Sequence, residues 1–452
     1  MKPHRAAAAL IVLCLWWPQE VRGQEKQTDA DQDWYRVLKD IQLGPGKLDI
    51  GMSLRLRYEF FRNMDVRHYY GTGRDDDQLL ERFRINFDYH LTPNVRLFIE
   101  GQDSHFWLSR LEVEDFGGTC PLQDAMDLRQ AFLEWKHIGE SPWGFKVGRQ
   151  VMDYGDQRVF SPGDWGNVGR YWWDGTKIYF DTEAFSVDAF AFKRVYTEPY
   201  AFDETHYDYD LFGVYAQLKK LPAKLDLFYT LYDDDHKTTA GESGLGDRET
   251  HTVGAYVDGK LGKGWDYRGT LAYQFGNWGR DDISAWGGNA RLGYTFDVPW
   301  SPRVGLEYSF ASGDKNPTDG KHGTFDGLFG TTDTYFGRMN LFAWMNLRDY
   351  QASLSVKPAK DLDVSLDYHF FQLDSAKDAW YYCTGRTERR DATGASGSDL
   401  GQEIDLVAKW KVNRNVELQA GYGHFFPGAF VRHTAGGHGS ADWVFMQFMY
   451  SF

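Results

Sequence analysis

The chain has 452 residues, of which 17% are aromatic, yet its mean hydropathy is -0.56 and its formal net charge is -15. A soluble protein this rich in aromatic residues normally carries long apolar helical faces, which we do not find, whereas a β-barrel in lipid needs apolar side chains only at alternate positions. The negative charge and the lack of a basic helical stripe exclude nucleic acid as a partner.

The first residues predict an export signal. A basic start at residues 1–5 precedes an apolar run at 6–17 that is too short to cross a bilayer as a helix. Val21 and Gly23 stand at the -3 and -1 positions of a cleavage site. We predict a signal peptide at 1–23 and a periplasmic segment at 24–48, rather than a buried N-terminal helix.

From residue 51 onward, apolar and polar residues alternate. In the first segment Leu54 and Leu56 alternate with Arg55 and Arg57. A period of two indicates a strand with a different environment on each side. Many segments run to ten residues or more, and strands tilted across a bilayer need about 9–11 residues. The pattern therefore favours membrane-spanning strands over the shorter strands of a soluble sandwich.

Short turns alternate with long polar loops along the chain, as in outer-membrane proteins. Long loops are predicted at 62–78, 107–125, 153–170, 194–208, 233–248, 276–283, 312–343, 374–398 and 426–439. The predicted fold is all-β: a transmembrane antiparallel β-barrel of about 18 strands over 49–452, with short periplasmic turns and long extracellular loops. The strands are predicted near 51–61, 79–91, 94–106, 126–137, 144–152, 171–180, 185–193, 209–219, 224–231, 249–260, 264–275, 284–296, 302–311, 344–357, 361–373, 399–412, 415–425 and 441–452.

The last segment resembles the terminal strand signal that the barrel assembly machinery recognises. Val444, Met446, Phe448 and Tyr450 alternate, and the chain ends on Phe452. No later segment is long and apolar enough to be a membrane-spanning helix. We therefore predict the outer membrane of a Gram-negative bacterium as the location, with outer-membrane lipid and the assembly machinery as partners.

The alternation places arginines of the first three strands on the lumenal side. Because neighbouring strands lie about 4.8 Å apart, these side chains can form one positive patch that attracts anions. Alternatively, each arginine pairs with an acid on the same strands, namely Glu59, Asp88 or Glu100. The arginines are Arg55, Arg57, Arg82, Arg84 and Arg96.

Other predicted lumenal positions carry both signs of charge, which weighs against a simple anion pore. The basic positions are Lys409 and Lys411, and the acidic ones are Asp266, Glu307, Asp363, Asp367, Glu403 and Asp405.

The sequence predicts no metal site and no cofactor. Acidic runs at 75–77 and 233–236 suit Ca²⁺, but such runs are more often solvated loop charges. The 13 histidines show no metal-ligand spacing. Cys120 and Cys383 either pair in an oxidising compartment or remain separate.

Several short motifs occur in order: DLRQAFL at 127–133, VGRQ at 147–150, YGDQR at 154–158, DWGNVGR at 164–170 and DG at 174–175. With TFDGLF at 324–329 and YFG at 335–337, they resemble the alginate export porin family over nearly the whole mature chain. The resemblance implies an 18-stranded barrel with an electropositive constriction and loops that close the channel. It assigns Arg149, Arg158 and Arg129 to the substrate path, with Asp156 as an acid that orients the arginines.

The segment 153–170 is long, aromatic and rich in glycine. It either folds inward as a constriction, since glycine permits tight turns and Trp165 is able to anchor it, or seals the barrel wall. The resemblance also suggests a monomer.

The predicted function is an outer-membrane channel that passes a polyanionic solute, an alginate-like or other acidic polysaccharide, through an arginine-lined constriction. The main alternative is a general or small-solute diffusion porin. An outer-membrane enzyme or a structural barrel is a further alternative, but the chain has no nucleophile motif such as GxSxG. We therefore expect a channel and no enzyme.

Overall fold

The computed structural model describes residues 34–66, 75–116, 120–237, 240–327 and 329–452. The predicted signal peptide and the first part of the predicted periplasmic segment lie outside these residues. Among the described residues, no helix has the length and apolar character needed to cross a membrane.

A closed antiparallel β-barrel of 18 strands forms the molecule, which confirms the predicted fold class. Closure occurs where the first strand pairs with the last, with Leu54 opposite Tyr450. The strands are β1 (Gly46–Arg62), β2 (Asp76–Thr92), β3 (Val95–Trp107), β4 (Asp124–Trp135), β5 (Trp143–Gln150), β6 (Trp173–Asp181), β7 (Phe185–Tyr196), β8 (Glu204–Leu218), β9 (Lys224–Asp234), β10 (Arg248–Leu261), β11 (Trp265–Trp278), β12 (Asp281–Thr295), β13 (Arg303–Ala311), β14 (Leu347–Ala359), β15 (Leu362–Leu373), β16 (Asp399–Lys411), β17 (Val416–Pro427) and β18 (Ala441–Ser451).

The two faces of the wall differ as the alternation requires. Leu56 and Leu97 are 39% and 42% exposed on the lipid side, whereas Arg55 between two lipid-facing leucines is only 3% exposed. Lipid cannot form hydrogen bonds with a free strand edge, so a spanning sheet must close on itself. The apolar positions therefore cover the outside, and the polar positions line the lumen.

One predicted loop is wrong. Residues 276–283 form the ends of β11 and β12, and only Gly279 and Arg280 remain for the turn. The strands continue because Trp278 pairs with Arg248 on one side and with Asp281 on the other. Gly279 adopts a φ of 61°, which a tight turn requires and glycine permits. The polar composition indicated a loop, but the hydrogen-bonded ladder extends through it.

The described part of the N-terminal segment contacts the periplasmic end of the seam. A short 3-10 helix (Trp34–Leu38) comes before a short strand (Ile41–Leu43) that pairs with the start of β1. The ring of Tyr35 stacks on the ring of Phe452 with centroids 4.9 Å apart. The C-terminal aromatic residue is thus packed against the N-terminal segment.

Two long loops fold into the extracellular half of the lumen and pack against each other. We call residues 151–172 the constriction loop and residues 312–346 the second lumenal loop. The amide of Ser161 donates to the carbonyl of Phe329 at 2.8 Å, and the amide of Phe329 donates to the carbonyl of Val159 at 3.1 Å. Their buried aromatic side chains form a core inside the barrel, which includes Phe160, Phe325, Phe336, Phe342 and Trp344.

Candidate functional site

Five arginines from β1, β2 and β4 converge on one turn of the constriction loop, residues 164–167. Arg55 donates to the carbonyls of Asp164, Trp165 and Gly166 at 2.9, 3.0 and 2.8 Å. This turn has no regular secondary structure, so its carbonyls need other donors, and the wall supplies them. The five are Arg55, Arg57, Arg82, Arg84 and Arg129.

Arg57 and Arg82, two of the five, bind the same turn through its backbone. Arg57 donates to the carbonyl of Trp165 at 2.8 Å, and its guanidinium carbon lies 4.3 Å from the centre of the Trp165 ring. Arg82 donates to the carbonyls of Asp164 and Gly166 at 2.8 and 3.1 Å. The turn is therefore held against the wall by charge-assisted hydrogen bonds, which are stronger than neutral ones.

The carboxylate of Asp164 binds the remaining two of the five arginines. Its Oδ1 atom accepts from Arg84 at 2.8 Å and from Arg129 at 3.0 Å, while its side chain stays 50% exposed. Burial opposes ionisation, but the attraction of Arg84, Arg129 and Arg82 outweighs it and holds the pKa of this carboxyl well below its usual range. Asp164 is thus a charged carboxylate that faces open lumen and occupies two arginines.

Arg129 reaches this cluster because of a β-bulge in β4. Glu100 pairs with Gln130 and Gly101 pairs with Leu128, so Arg129 has no opposite residue on β3. Strict alternation would put Arg129 on the lipid side with Leu133, whereas it is 4% exposed and contacts Glu100 at 2.5 Å. Bulges commonly redirect a side chain in this way.

The arginine cluster carries more positive than negative charge. Its five guanidinium groups have three carboxylate partners, namely Glu59 beside Arg57 at 2.8 Å, Glu100 and Asp164. Two positive charges are left without a carboxylate among these partners. The wall therefore combines the positive patch and the acid pairs that the sequence offered as alternatives.

Acids on β16 hold the second lumenal loop by its amides. Glu403 accepts from the backbone N–H of Met339 at 2.9 Å, and Asp405 accepts from that of Arg338 at 3.0 Å. Both carboxylates are fully buried. The mixed charge of the wall thus has a structural cause, since arginines bind loop carbonyls and carboxylates bind loop amides.

Arg96 lies apart from the cluster. It makes two hydrogen bonds to Asp88, at 2.6 and 2.9 Å, and lies 3.7 Å from Glu134. Its cross-strand neighbours His90 and Glu134 belong to the periplasmic ends of β2 and β4. The structure places Arg96 in a neutralised pair near the periplasmic rim.

Arg149 is placed away from the lumen. The register aligns it with Asp174, on the face that bears Val147 and Ile178, which are 39% and 50% exposed toward lipid. It makes two hydrogen bonds of 3.0 Å to Asp174 and donates to the carbonyl of Asp203 at 3.1 Å. The position of Arg149 does not support its predicted place in the substrate path, because strand register directs it outward.

Arg158 lies inside the barrel but lines no open space. It is 1% exposed, and it contacts Glu307 at 2.5 Å and Ser309 at 3.0 Å on β13. Its guanidinium lies 3.9 Å from the centre of the Tyr335 ring. Asp156 stands 3.7 Å from its Nε atom, in the position of an orienting acid. Arg158 therefore fastens the constriction loop to the wall and to the second lumenal loop.

A cavity of about 760 Å³ lies on the extracellular side of the constriction loop. Arg170 and Arg194 contribute cations to it, and aromatic rings surround them. Arg194 lies 5.1 Å from the Tyr171 ring and 4.9 Å from the Tyr196 ring. A smaller cavity of about 140 Å³, lined by Arg57 and Trp165, shares Cys383 with the larger one.

Sequence reasoning missed Arg194 because it ended the strand at residue 193. The structure continues β7 to Tyr196, after a register shift between Lys193 and Arg194. If the alternation of β7 had been extended by one residue, it would have placed Arg194 on the lumenal side. Cys120 and Cys383 are both buried as thiols.

Two groups of side chains among the described residues have the spacing of metal ligands. One is His206, Asp208 and His236 at the extracellular rim, where His236 belongs to the acidic run noted in the sequence. The other consists of Asp124, Asp127 and Asp203, which the sequence did not indicate because they are separated in the chain.

Residues 46–445 match the protein-family model described as alginate export. No curated protein sequence matches the chain. Among solved structures, OccK9 (OpdG) of Pseudomonas aeruginosa aligns with a TM-score of 0.57 and 10% identity, over 90% of this chain and 98% of that one. OpdK from Pseudomonas aeruginosa aligns with a TM-score of 0.56 and 11% identity, over 89% and 98%. At these identities the likeness concerns the fold alone.

Asn167 offers a test of how the constriction loop is held. Its buried amide lies within hydrogen-bond distance of the carbonyls of Glu81, His105 and Leu122, and its oxygen accepts from Arg55. Asn167→Ala leaves these groups unsatisfied, so we expect a loss of about 1–3 kcal/mol in unfolding free energy and a larger single-channel conductance. The exposed Asn94→Ala is the matched control, and a conductance equal to wild type in Asn167→Ala would contradict this role.

Glu242 offers a pH test at the rim of the large cavity. Burial, followed by the nearby carboxyl of Asp314 in the second lumenal loop, raises the pKa of Glu242 to about 7. Glu242 therefore becomes negatively charged as pH rises through about 7, and its repulsion from Asp314 and Asp319 of the second lumenal loop then increases. We expect longer closed times at pH 6 than at pH 8 in single-channel records.

Glu242→Gln should remove that pH dependence, because the amide stays uncharged at every pH. The exposed Glu112→Gln is the control and should titrate like wild type. Unchanged pH dependence in Glu242→Gln would show that this contact does not govern closure.

Proposed function

This chain belongs to the alginate export family, and from that premise we propose its function. It is a channel-type β-barrel of the Gram-negative outer membrane. We propose further that its solute is a polyanion, an alginate-like or other acidic polysaccharide. The observation that carries this proposal is the excess of positive charge where five arginines hold residues 164–167.

The arginine cluster has the chemistry to exchange one carboxylate for another. Asp164 presents an exposed carboxylate to Arg84 and Arg129, and a uronate residue of a polysaccharide carries the same group. A guanidinium binds carboxylates in a planar, directional manner. An incoming uronate is therefore able to replace Asp164 on these arginines, and such replacement frees the turn at 164–167 from part of its attachment.

The cations on the extracellular side continue this path. Arg170 and Arg194 line the cavity beyond the constriction loop, where five basic and five acidic side chains are mixed with tyrosines. Arg170 donates to the carbonyl of Cys383 at 2.7 Å. Cation sites separated by polar and aromatic surface suit transport, since a solute must bind well enough to enter and weakly enough to leave.

A small-solute diffusion porin is the second candidate function. The observation in its favour is that charges near the periplasmic rim are paired, as in Arg96 with Asp88 and Lys177 with Asp188 at 2.8 Å. Paired charges of both signs give that part of the lumen no strong preference for anions. We do not propose an enzymatic or a structural role, because the family and the fold both favour transport.

The partners proposed with this function follow from the location. They are the solute, outer-membrane lipid around the barrel and the barrel assembly machinery, which the C-terminal strand ending in Phe452 suits. We propose a monomer, on the basis of the family resemblance.

A planar-bilayer experiment tests the proposed solute class. We expect anion selectivity from the reversal potential in a salt gradient, and block by added polyuronate. Arg84→Gln removes a charged hydrogen bond worth about 1.5–3 kcal/mol, so polyuronate block should weaken about tenfold or more. Asp164→Asn removes the competing carboxylate and should strengthen both selectivity and block.

Arg280→Gln is the matched control, because it removes the same charge at the exposed turn between β11 and β12. Cation selectivity, or a conductance that polyuronate does not reduce, would refute the polyanion proposal. A diffusion porin would then be the remaining candidate function. An absence of conductance would favour a structural barrel or an enzyme.

A further inference from the structure

Three buried carboxylates meet in the wall near its extracellular rim. Asp124 and Asp127 belong to the start of β4, and Asp203 ends the loop 197–203 that joins β7 to β8. Their exposed fractions are 1%, 4% and 6%. One oxygen of each carboxylate lies within 4.8 Å of the corresponding oxygens of the other two.

The loop 197–203 takes the place of a neighbouring strand at this point. β4 pairs with β5 only over residues 131–135, and the edge above this range faces the loop. The amide of Ala125 donates to the carbonyl of Pro199 at 3.2 Å, and the amide of Asp203 donates to a carboxylate oxygen of Asp127 at 2.5 Å. The three acids are therefore brought together by backbone pairing between loop and strand.

Asp124 is the member of the group that lacks hydrogen-bond donors. Neither of its carboxylate oxygens accepts a hydrogen bond, although both are buried. By contrast, Asp203 accepts from the amide of Glu198 at 2.8 Å and from the indole N–H of Trp172 at 3.3 Å. Buried charged groups are ordinarily paired or bound to a metal, so the Asp124 side chain requires a partner.

Arg149 is the cation that faces the group, and it is already engaged. Two hydrogen bonds of 3.0 Å join it to Asp174, and its Nη1 atom stays 3.7 Å from Asp127. Asp124, Asp127, Asp174 and Asp203 together oppose this single guanidinium. When these carboxyls are ionised, Arg149 alone does not balance their charge.

We propose that Asp124, Asp127 and Asp203 bind a divalent cation of the size of Ca²⁺, which fastens the loop 197–203 to β4. All the side-chain ligands are carboxylate oxygens, as hard cations prefer. Ca²⁺ binds oxygen at 2.3–2.6 Å, so two ligands of one ion lie at most about 5 Å apart, and the spacing here satisfies that limit. Mg²⁺ has shorter bonds and requires stricter octahedral geometry.

The site is separate from the proposed solute path. It lies in the wall, and Trp172, the last residue of the constriction loop, contacts it through Asp203. Its role is to brace the rim, and its presence does not depend on which solute crosses the channel.

Terbium luminescence provides the test, because Tb³⁺ replaces Ca²⁺ and is excited through a nearby indole. The refolded full-length barrel in detergent is titrated with Tb³⁺, and Ca²⁺ should then displace it. Asp124→Asn should weaken Tb³⁺ binding roughly tenfold or more. The chain has 17 tryptophans, so Trp172→Phe is needed to show that the emission comes from this site, and it should remove most of the emission.

Asp115→Asn, an exposed acid in the loop between β3 and β4, is the matched control and should bind Tb³⁺ like wild type. Thermal unfolding gives a second readout that works even if a variant binds no metal. With EGTA, Asp124→Asn should unfold at the same or a higher temperature than wild type, because an unpaired buried charge is removed. With Ca²⁺, wild type should unfold at the higher temperature.

Equal Tb³⁺ binding in wild type and Asp124→Asn would overturn the proposal. So would a melting temperature of wild type that Ca²⁺ does not change, since the carboxylates would then be neutralised by protons instead of a cation.

Discussion

The backbone of the two lumenal loops must find hydrogen-bond partners inside a barrel too wide for its wall to fill, and the rest of the structure depends on how it does so. The wall provides charges of both signs, arginines from β1 and β2 and carboxylates from β16. Arg55 and Arg82 donate to carbonyls of the constriction loop, while Glu403 and Asp405 accept from amides of the second lumenal loop. The mixed charge of the lumen is thus a consequence of folding two irregular segments inside a sheet.

This arrangement determines which part of the channel is able to change. The extracellular half holds an aromatic core in which Phe160 and Phe329 join the two loops, and such packing is costly to disrupt. The turn at 164–167 is attached instead by hydrogen bonds to arginines, which another anion is able to replace. The exposed carboxylate of Asp164 marks the place where that replacement needs the least rearrangement.

Periodicity was sufficient to predict the barrel, its strand number and the lumenal side of Arg55, Arg57, Arg82 and Arg84, because lipid imposes a strict alternation. It failed where the chain departs from that alternation. A bulge turns Arg129 inward. Arg149 is a different case, because it follows the regular register and points outward, and only the family resemblance assigned it to the substrate path. The fold of the lumenal loops was beyond a pattern of period two, since long-range contacts between separate loops determine it.

The constriction loop connects the rim with the lumen. Trp172 ends the constriction loop at the extracellular rim, where its indole donates to Asp203, and Asp164 lies in the same loop against the lumenal arginines. The seven residues between them include the buried Val168. A loop fixed at its end by the wall has fewer conformations to lose when its middle binds the arginines. Order at the rim therefore lowers the entropic cost of closing the constriction, without any contact between the rim acids and the solute.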